Sequence, residues 1–99
     1  MTTRKPFQPP FRVLLTSRGN PDFRQYAPIS PPEIVTGTLA AILEAAEKYR
    51  YDWELGIGNW PMPPVKDANG RRVGYLAFNG TLWSTQDILG VRVDPPEGA

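Results

Sequence analysis

The chain has 99 residues, of which 40% are hydrophobic and 21% charged, and its formal net charge at pH 7 is +1. A chain of this length forms a single domain with one modest hydrophobic core. The near-neutral charge argues against an acidic DNA mimic and against a protein held to nucleic acid by phosphate neutralisation alone.

The sequence contains neither cysteine nor histidine. Disulfide bonds, Cys/His zinc sites and thiol-based or Ser–His catalysis are therefore excluded. Carboxylates remain as groups that could hold a metal or act as an acid/base pair. Glu44 and Glu47 solvate the outer face of a helix, and the spacing of Asp52 and Glu54, or of Asp22 and Asp67, does not require such a site. We therefore predict a protein that is not an enzyme and that uses no metal and no cofactor.

The sequence shows no charged-then-apolar secretion signal, and its longest apolar run, residues 39–43, is too short to span a bilayer. We expect a cytoplasmic location and no membrane partner.

The first ten residues, MTTRKPFQPP, are basic, rich in proline and without periodicity, which predicts a flexible arm. Residues 11–17 then alternate in character and predict the first strand. Phe11, Val13 and Leu15 share one face of that strand.

A loop separates this strand from the next periodic segment. A turn cluster at residues 19–21 ends the strand. Residues 22–32 contain several prolines and predict an ordered loop anchored by its aromatic side chains. Residues 33–36 could pair briefly as an edge strand.

The clearest periodic element is an α-helix. Thr36 or Thr38 can cap its N-terminus, because a threonine hydroxyl accepts a hydrogen bond from a backbone N–H of the first turn. Apolar residues then recur at spacings of three and four, which gives one stripe that should face a sheet. The stripe consists of Leu39, Ile42, Leu43, Ala46 and Tyr49 or Arg50. The helix should end at residue 51 or 52.

Alternation with a period of two returns after the helix. Trp53, Leu55 and Ile57 alternate with polar residues or glycine, which predicts a further strand. The prolines within residues 61–64 then interrupt regular pairing.

Two Asn-Gly pairs, at residues 69–70 and 79–80, separate alternating segments and predict type I′ hairpin turns. They imply a three-stranded meander that begins at residue 65 and continues through residues 73–78 and 81–83. Strict alternation places Val73 and Tyr75 on one face of the middle strand and Gly74 and Leu76 on the other.

The predicted fold class is α+β, with one helix packed on an antiparallel sheet of about four to five strands in β-α-β-β-β order. Residues 11–93 form the domain, in which residues 91–93 could add a last short strand. Residues 94–99 form a flexible tail.

The segment after the helix also holds a candidate anchor. Gly56 and Gly58 do not form a phosphate-binding loop, because prolines follow where that loop needs a helix N-terminus. Trp60 lies beside those prolines, and we expect it to face outward, since an exposed tryptophan is a typical interface hot spot. The other large rings either fill the core of a small domain or form a binding platform.

The candidate partner-binding residues are aromatic and basic. Arg71 and Arg72 lie at a predicted hairpin turn, and Arg24 and Tyr26 lie in the long loop. Together with Trp60 they would form one surface. Trp60 would enter a pocket of the partner, while the arginines pair with carboxylates or occupy the path of a nucleic acid.

Four segments resemble short uncharacterised bacterial and mobile-element proteins. They are residues 16–23 (TSRGNPDF), 25–30 (QYAPIS), 58–60 (GNW) and 78–83 (FNGTLW). The likeness covers residues 13–83 and implies no site residue. Separately, the layout of strand, helix and antiparallel strands is similar to that of small phage-encoded anti-CRISPR proteins. This second resemblance implies docking on a Cas subunit, with a block of nucleic-acid or effector recruitment, in a bacterium or in the host cell of a mobile element.

The predicted function is a non-catalytic protein–protein interaction module, in the form of an inhibitor of a host-defence (CRISPR-Cas) complex that acts by steric occlusion. The alternative is a small nucleic-acid-binding accessory protein that uses the basic arm, with Arg4 and Lys5, and the hairpin near Arg71. The oligomeric state is open, because the edge at residues 33–36, or the interrupted strand near Trp60, could pair with a second copy.

Overall fold

The computed structural model describes residues 6–87 and 89–94. Its strands are β1 (Phe11–Leu15), β2 (Glu33–Gly37), β3 (Pro64–Lys66), β4 (Arg72–Leu76), β5 (Leu82–Trp83) and β6 (Arg92–Val93). One α-helix, α1 (Leu39–Asp52), follows β2, and short 3-10 helices span Pro21–Phe23 and Ile57–Asn59. The strands form one antiparallel sheet in the order β2-β1-β3-β4-β5-β6. The predicted α+β class is confirmed, with six strands where four to five were expected.

The first strand has the predicted alternation. Phe11, Val13 and Leu15 are buried against the helix, whereas Arg12 and Leu14 point to the other face and are exposed. β1 pairs along its whole length with β2, which forms one edge of the sheet. The predicted edge strand is therefore confirmed, and it is one residue longer than expected.

The helix begins and ends as predicted. Thr38 is the N-cap, and its Oγ1 accepts a hydrogen bond of 3.1 Å from the amide of Ala41. The buried residues of α1 belong to the same core as the inner face of β1. They are Leu39, Ile42, Ala46 and Tyr49. Within the described part of the chain, no helix has both the length and the apolar character that crossing a membrane requires.

Residues 53–57 do not form the predicted strand. The amide of Glu54 donates to the carbonyl of Tyr51 (3.2 Å), and the amide of Leu55 donates to the carbonyl of Arg50 (2.9 Å). Glu54 has a φ of 52°, so these bonds form a Schellman motif that closes α1. Leu55 is the apolar residue that such a motif turns into the core, and it is buried. The apparent alternation therefore comes from a helix end.

Both predicted hairpins are present, but their turns are not type I′. The amide of Gly70 bonds to the carbonyl of Asp67 (3.0 Å), and that of Gly80 bonds to the carbonyl of Ala77 (3.0 Å). Among the described residues, φ is positive at both glycines but at neither preceding asparagine, whereas a type I′ turn needs it at both central positions. The loops are the three-residue kind with glycine in the left-handed position.

A β-bulge changes the predicted faces of β4. Val65 pairs with Gly74, whereas the next residue, Lys66, pairs with Arg72, so Val73 is the extra residue. Val73 and Gly74 are both buried, and Arg72 lies on the same face as Tyr75. The prediction that Val73 and Tyr75 share a face is therefore wrong, because strict alternation fails across a bulge.

Part of the predicted arm contacts the first hairpin. The amide of Gln8 donates to Oδ2 of Asp67 (3.1 Å), and the amide of Ala68 donates to the carbonyl of Gln8 (2.8 Å). Phe7 is partly buried, and the guanidinium carbon of Arg71 lies 4.6 Å from the centroid of its ring. Residues 1–5, which include the basic residues of the arm, and residues 95–99 of the predicted tail lie outside the described residues.

Candidate functional site

The indole of Trp60 lies inside the protein. Its exposed fraction is 2%, and its Nε1 donates a hydrogen bond of 2.8 Å to the carbonyl of Leu76. The expectation that this ring faces outward is therefore wrong. The interrupted pairing around the prolines lets the ring pack over the sheet, where its N–H finds a partner and its apolar surface leaves water.

Arg50 is a feature that the sequence did not single out as functional. Its guanidinium carbon lies 4.9 Å from the ring centroid of Trp60 and 5.2 Å from that of Phe78. Burial lowers the pKa of Arg50 from its usual value, and its buried Nη1 has no hydrogen-bond partner. Two rings therefore take the place of water around this cation. The only signal in the sequence was the arginine at the end of the apolar stripe of α1.

Asn59 fastens the long loop to the second 3-10 helix. Its side chain is buried, and its Nδ2 donates to the carbonyl of Arg18 (3.0 Å) and to Oε1 of Gln25 (2.9 Å). Its Oδ1 accepts from the amide of Gly56 (3.1 Å), and its own carbonyl accepts from the amide of Arg18 (2.9 Å). One asparagine thus joins the end of β1, the loop and the segment after α1.

The first half of the loop is tightly closed on itself. The carbonyl of Asn20 accepts from the amides of Phe23 (2.9 Å) and Gln25 (3.1 Å), and its Oδ1 accepts from the amide of Asp22 (3.0 Å). A Cβ atom on Gly19 would lie 2.3 Å from the carbonyl oxygen of Gln25, so only glycine fits there. The loop has little freedom to move as a separate unit.

A second polar cluster holds the other end of the loop. The Tyr49 hydroxyl donates to the carbonyl of Pro31 (2.6 Å) and lies 2.6 Å from Oγ of Ser30. Oγ of Ser17 accepts from the amide of Ile29 (3.0 Å) and is bonded to Ser30. The loop is ordered as predicted, but buried polar groups anchor it, and its aromatic residues do not.

The loop surface consists of Phe23, Arg24 and Tyr26 of the long loop, together with Ile57 of the second 3-10 helix, which Asn59 bonds to that loop. The exposed fractions of Phe23 and Tyr26 are 74% and 82%, and Arg24 and Ile57 are also exposed. Arg24 has a φ of 56° at the end of the first 3-10 helix. Arg24 and Tyr26, two of the predicted partner-binding residues, are thus both exposed on this loop.

The other predicted residues lie elsewhere. Arg71 is in the β3–β4 hairpin against Phe7, and Arg72 begins β4, where its Nη1 donates to the hydroxyl of Tyr75 (3.0 Å). Trp60 is in the core. The five predicted residues therefore do not form a single surface built around Trp60.

A cavity of about 370 Å³ lies beside Ile57. Arg18, Pro61, Trp60 and Phe78 also line it. Ile57 belongs to both the cavity and the loop surface, so the two adjoin.

A second surface is the open face of the sheet, on the side away from α1. Its strand residues are Ile34 and Thr36 of β2, Arg12 and Leu14 of β1, Pro64 and Lys66 of β3, Arg72 and Tyr75 of β4, Trp83 of β5 and Arg92 of β6. Most of these side chains are exposed, and Pro64, Tyr75 and Trp83 are half-buried.

Carboxylates do not assemble into a site on either surface. Among residues 6–87 and 89–94, no group of three or more acidic side chains is arranged to hold a metal ion. The buried carboxylate of Asp67, in the first hairpin, accepts hydrogen bonds from the backbone amides of Gln8, Asn69 and Arg71.

Comparison of the chain with protein-family models, with curated proteins and with solved structures gave no match. The function must therefore be inferred from the geometry of the two surfaces.

Proposed function

We propose that this protein is a non-catalytic interaction module that docks on another protein through the loop surface. One observation carries the proposal: Phe23 and Tyr26 expose most of their large rings on a loop that buried polar groups hold in place. Exposed rings on a rigid support bind with little loss of conformational entropy, because most of the ordering is already complete in the free protein.

The chemistry of the loop surface indicates what the partner presents. Phe23, Tyr26 and Ile57 offer apolar area, and the cavity beside Ile57 can receive an apolar side chain of the partner. Arg24 and Arg18 lie next to this area and can pair with carboxylates at its rim. The partner is therefore a protein surface with an apolar centre and acidic edges.

Steric occlusion is the form of activity that suits a small domain that docks on another protein. Inhibition of a nucleoprotein defence complex, as in phage-encoded anti-CRISPR proteins, is one case of it. That case is supported by the resemblance in size and layout alone, whereas docking through the loop surface is supported by the exposed rings.

The test is an affinity pull-down from a native lysate, analysed by mass spectrometry, with the wild type and three variants. Phe23→Ala and Tyr26→Ala each remove one ring from the loop surface. Tyr51→Ala is the matched control, because Tyr51 is 84% exposed but lies on α1. We expect one protein to be recovered by the wild type and by Tyr51→Ala and to be depleted at least severalfold with both loop variants. Equal recovery by all four proteins, or recovery of no partner, would contradict the proposal.

A further inference from the structure

Three cations lie side by side across the open face of the sheet. Arg12 of β1 is directly opposite Lys66 of β3, and Lys66 is directly opposite Arg72 of β4. Neighbouring strands are about 4.8 Å apart, so the three side chains start within about 10 Å of one another. All three are exposed. We call them the cation row.

Within the strands the cation row has no acidic counterpart, but Asp87, which follows β5, lines a cavity together with Arg72. None of the strand residues that form the open face is Asp or Glu. Like charges placed directly opposite on neighbouring strands destabilise a sheet, so packing gives no reason for this arrangement. An anionic ligand would supply the missing charge.

The near-neutral net charge conceals this asymmetry. The helix on the other side of the sheet carries Glu44, Glu47 and Asp52 against Lys48 and Arg50. The net charge of the helix is therefore −1, whereas the strand residues of the open face include four cations, Arg12, Lys66, Arg72 and Arg92. The low net charge of the chain thus does not argue against local binding of an anion.

Rings lie next to the cation row. Tyr75 of β4 is opposite Pro64 on one side and opposite Trp83 on the other. The rings of Tyr75 and Trp83 are half-buried, so part of each remains accessible. The guanidinium carbon of Arg72 lies 4.8 Å from the ring centroid of Tyr75, which joins the cation row to the rings.

Two shallow cavities lie along the cation row. One, of about 410 Å³, is lined by Arg12, Lys66 and Leu14, and the other, also about 410 Å³, is lined by Arg72, Tyr75 and the acidic residue Asp87. Gln86 contributes to both, and its Nε2 is held by the carbonyl of Met62 (2.9 Å). The face is thus a groove with cations along it and rings at one end.

We propose that the open face of the sheet binds single-stranded nucleic acid. The cation row pairs with successive phosphates, and Tyr75 and Trp83 offer surfaces on which unpaired bases stack, which is the combination that binds single strands without sequence preference. A duplex keeps its bases stacked inside and would leave the rings without a partner. This activity is separate from protein docking, because it uses none of the residues of the loop surface.

The test is fluorescence anisotropy with labelled mixed-sequence single-stranded RNA and DNA and with the matching duplex. We expect both single strands to bind at low salt and the duplex to bind at least about tenfold more weakly. With three phosphate contacts, log K should fall against log salt with a slope of about −2. The triple variant Arg12→Gln/Lys66→Gln/Arg72→Gln should abolish most of that slope.

Matched controls distinguish this site from general attraction to polyanions. Lys48→Gln removes an exposed cation of α1, on the other side of the sheet, and should leave the affinity unchanged. Tyr75→Ala should weaken binding about tenfold with the salt slope preserved, because stacking does not release counterions. Circular dichroism melting identifies any variant that does not fold, and Lys66→Gln alone then replaces the triple variant.

Several results would overturn the proposal. They are no binding of either single strand at low salt, equal or tighter binding of the duplex, and an unchanged affinity in the triple variant. Equally effective displacement by poly-glutamate would assign the face to acidic proteins instead. None of these outcomes bears on docking through the loop surface, which the pull-down tests with residues outside the open face.

Discussion

The indole N–H of Trp60 donates to the carbonyl of Leu76 across a distance of 2.8 Å and a sequence separation of 16 residues. This bond ties the segment that precedes β3 to the end of β4. Arg50 covers the same ring from α1. Trp60 therefore joins the helix to the sheet. We expect substitutions of Trp60 to change the free energy of unfolding rather than the affinity for a partner.

Trp60→Phe should lower the free energy of unfolding by at least about 1–3 kcal/mol, because the buried carbonyl of Leu76 loses its donor and the smaller phenyl ring fills less of the core. Urea unfolding at neutral pH measures the change. Trp53→Phe is the control, since Trp53 is 44% exposed, and it should change the stability by no more than about 0.5 kcal/mol. Equal effects of the two substitutions would contradict the structural role of Trp60.

The carboxylate of Asp67 should make the stability depend on pH. Burial raises the pKa of Asp67, but hydrogen bonds from the amides of Gln8, Arg71 and Asn69, together with the charge of Arg71, outweigh burial and leave the pKa below its usual value. Because the folded-state pKa lies below the unfolded value of about 3.9, the stabilisation is fully present above that pH and is lost as the pH falls through the folded pKa.

Asp67→Asn is therefore expected to lower Tm at neutral pH. The difference in Tm between the variant and the wild type should become smaller in acid. Thermal melting between about pH 7 and about pH 2 follows both proteins across that range. A difference in Tm that stays constant over the whole range would show that the charge of Asp67 contributes nothing.

Glu54→Gly should raise the free energy of unfolding by roughly 0.5–1 kcal/mol. Glu54 has a left-handed backbone, which costs an ordinary residue about 1–2 kcal/mol, and glycine avoids this cost while losing about 0.5–1 kcal/mol of backbone entropy. Glu54→Ala separates the backbone from the side chain and should give no gain. Equal stabilities of the two variants would argue against the Schellman ending of α1.

Asn59→Ala should loosen the long loop. It leaves the carbonyl of Arg18 and the amide of Gly56 without their side-chain partner, at a cost of about 1–3 kcal/mol. Hydrogen exchange should accelerate at the amides of residues 18–25 more than at those of β1. If protection in residues 18–25 is unaltered, Asn59 does not hold the loop surface in place.

Patterns among residues that are close in sequence were sufficient to predict the helix and the two hairpins. Thr38 and the apolar stripe predicted the helix because capping and periodicity depend on neighbours in sequence. The Asn-Gly pairs predicted both hairpins for the same reason. The turn type could not be predicted from the Asn-Gly pairs. Asparagine is accommodated both in a type I′ turn and in a three-residue loop, and its backbone angle depends on the surrounding hydrogen bonds.

Long-range contacts decided what the sequence could not show. The burial of Trp60 depends on Leu76 and Arg50, neither of which is a neighbour in sequence. The cation row depends on the bulge at Val73, which moves Arg72 from the helix side of the sheet to the side of Lys66. Position in the chain was sufficient only for neighbours, such as Arg24 and Tyr26 in one loop and Arg71 and Arg72 in one hairpin.

Docking through the loop surface is tested most directly by titrating the recovered partner with purified Tyr26→Ala and Tyr51→Ala. An interface hot spot is worth at least about 2 kcal/mol, so Tyr26→Ala should raise Kd by about 30-fold or more, whereas Tyr51→Ala should leave it within about twofold of the wild type. A Kd that is unchanged in Tyr26→Ala, or raised as much by Tyr51→Ala, would show that the partner binds elsewhere on the protein.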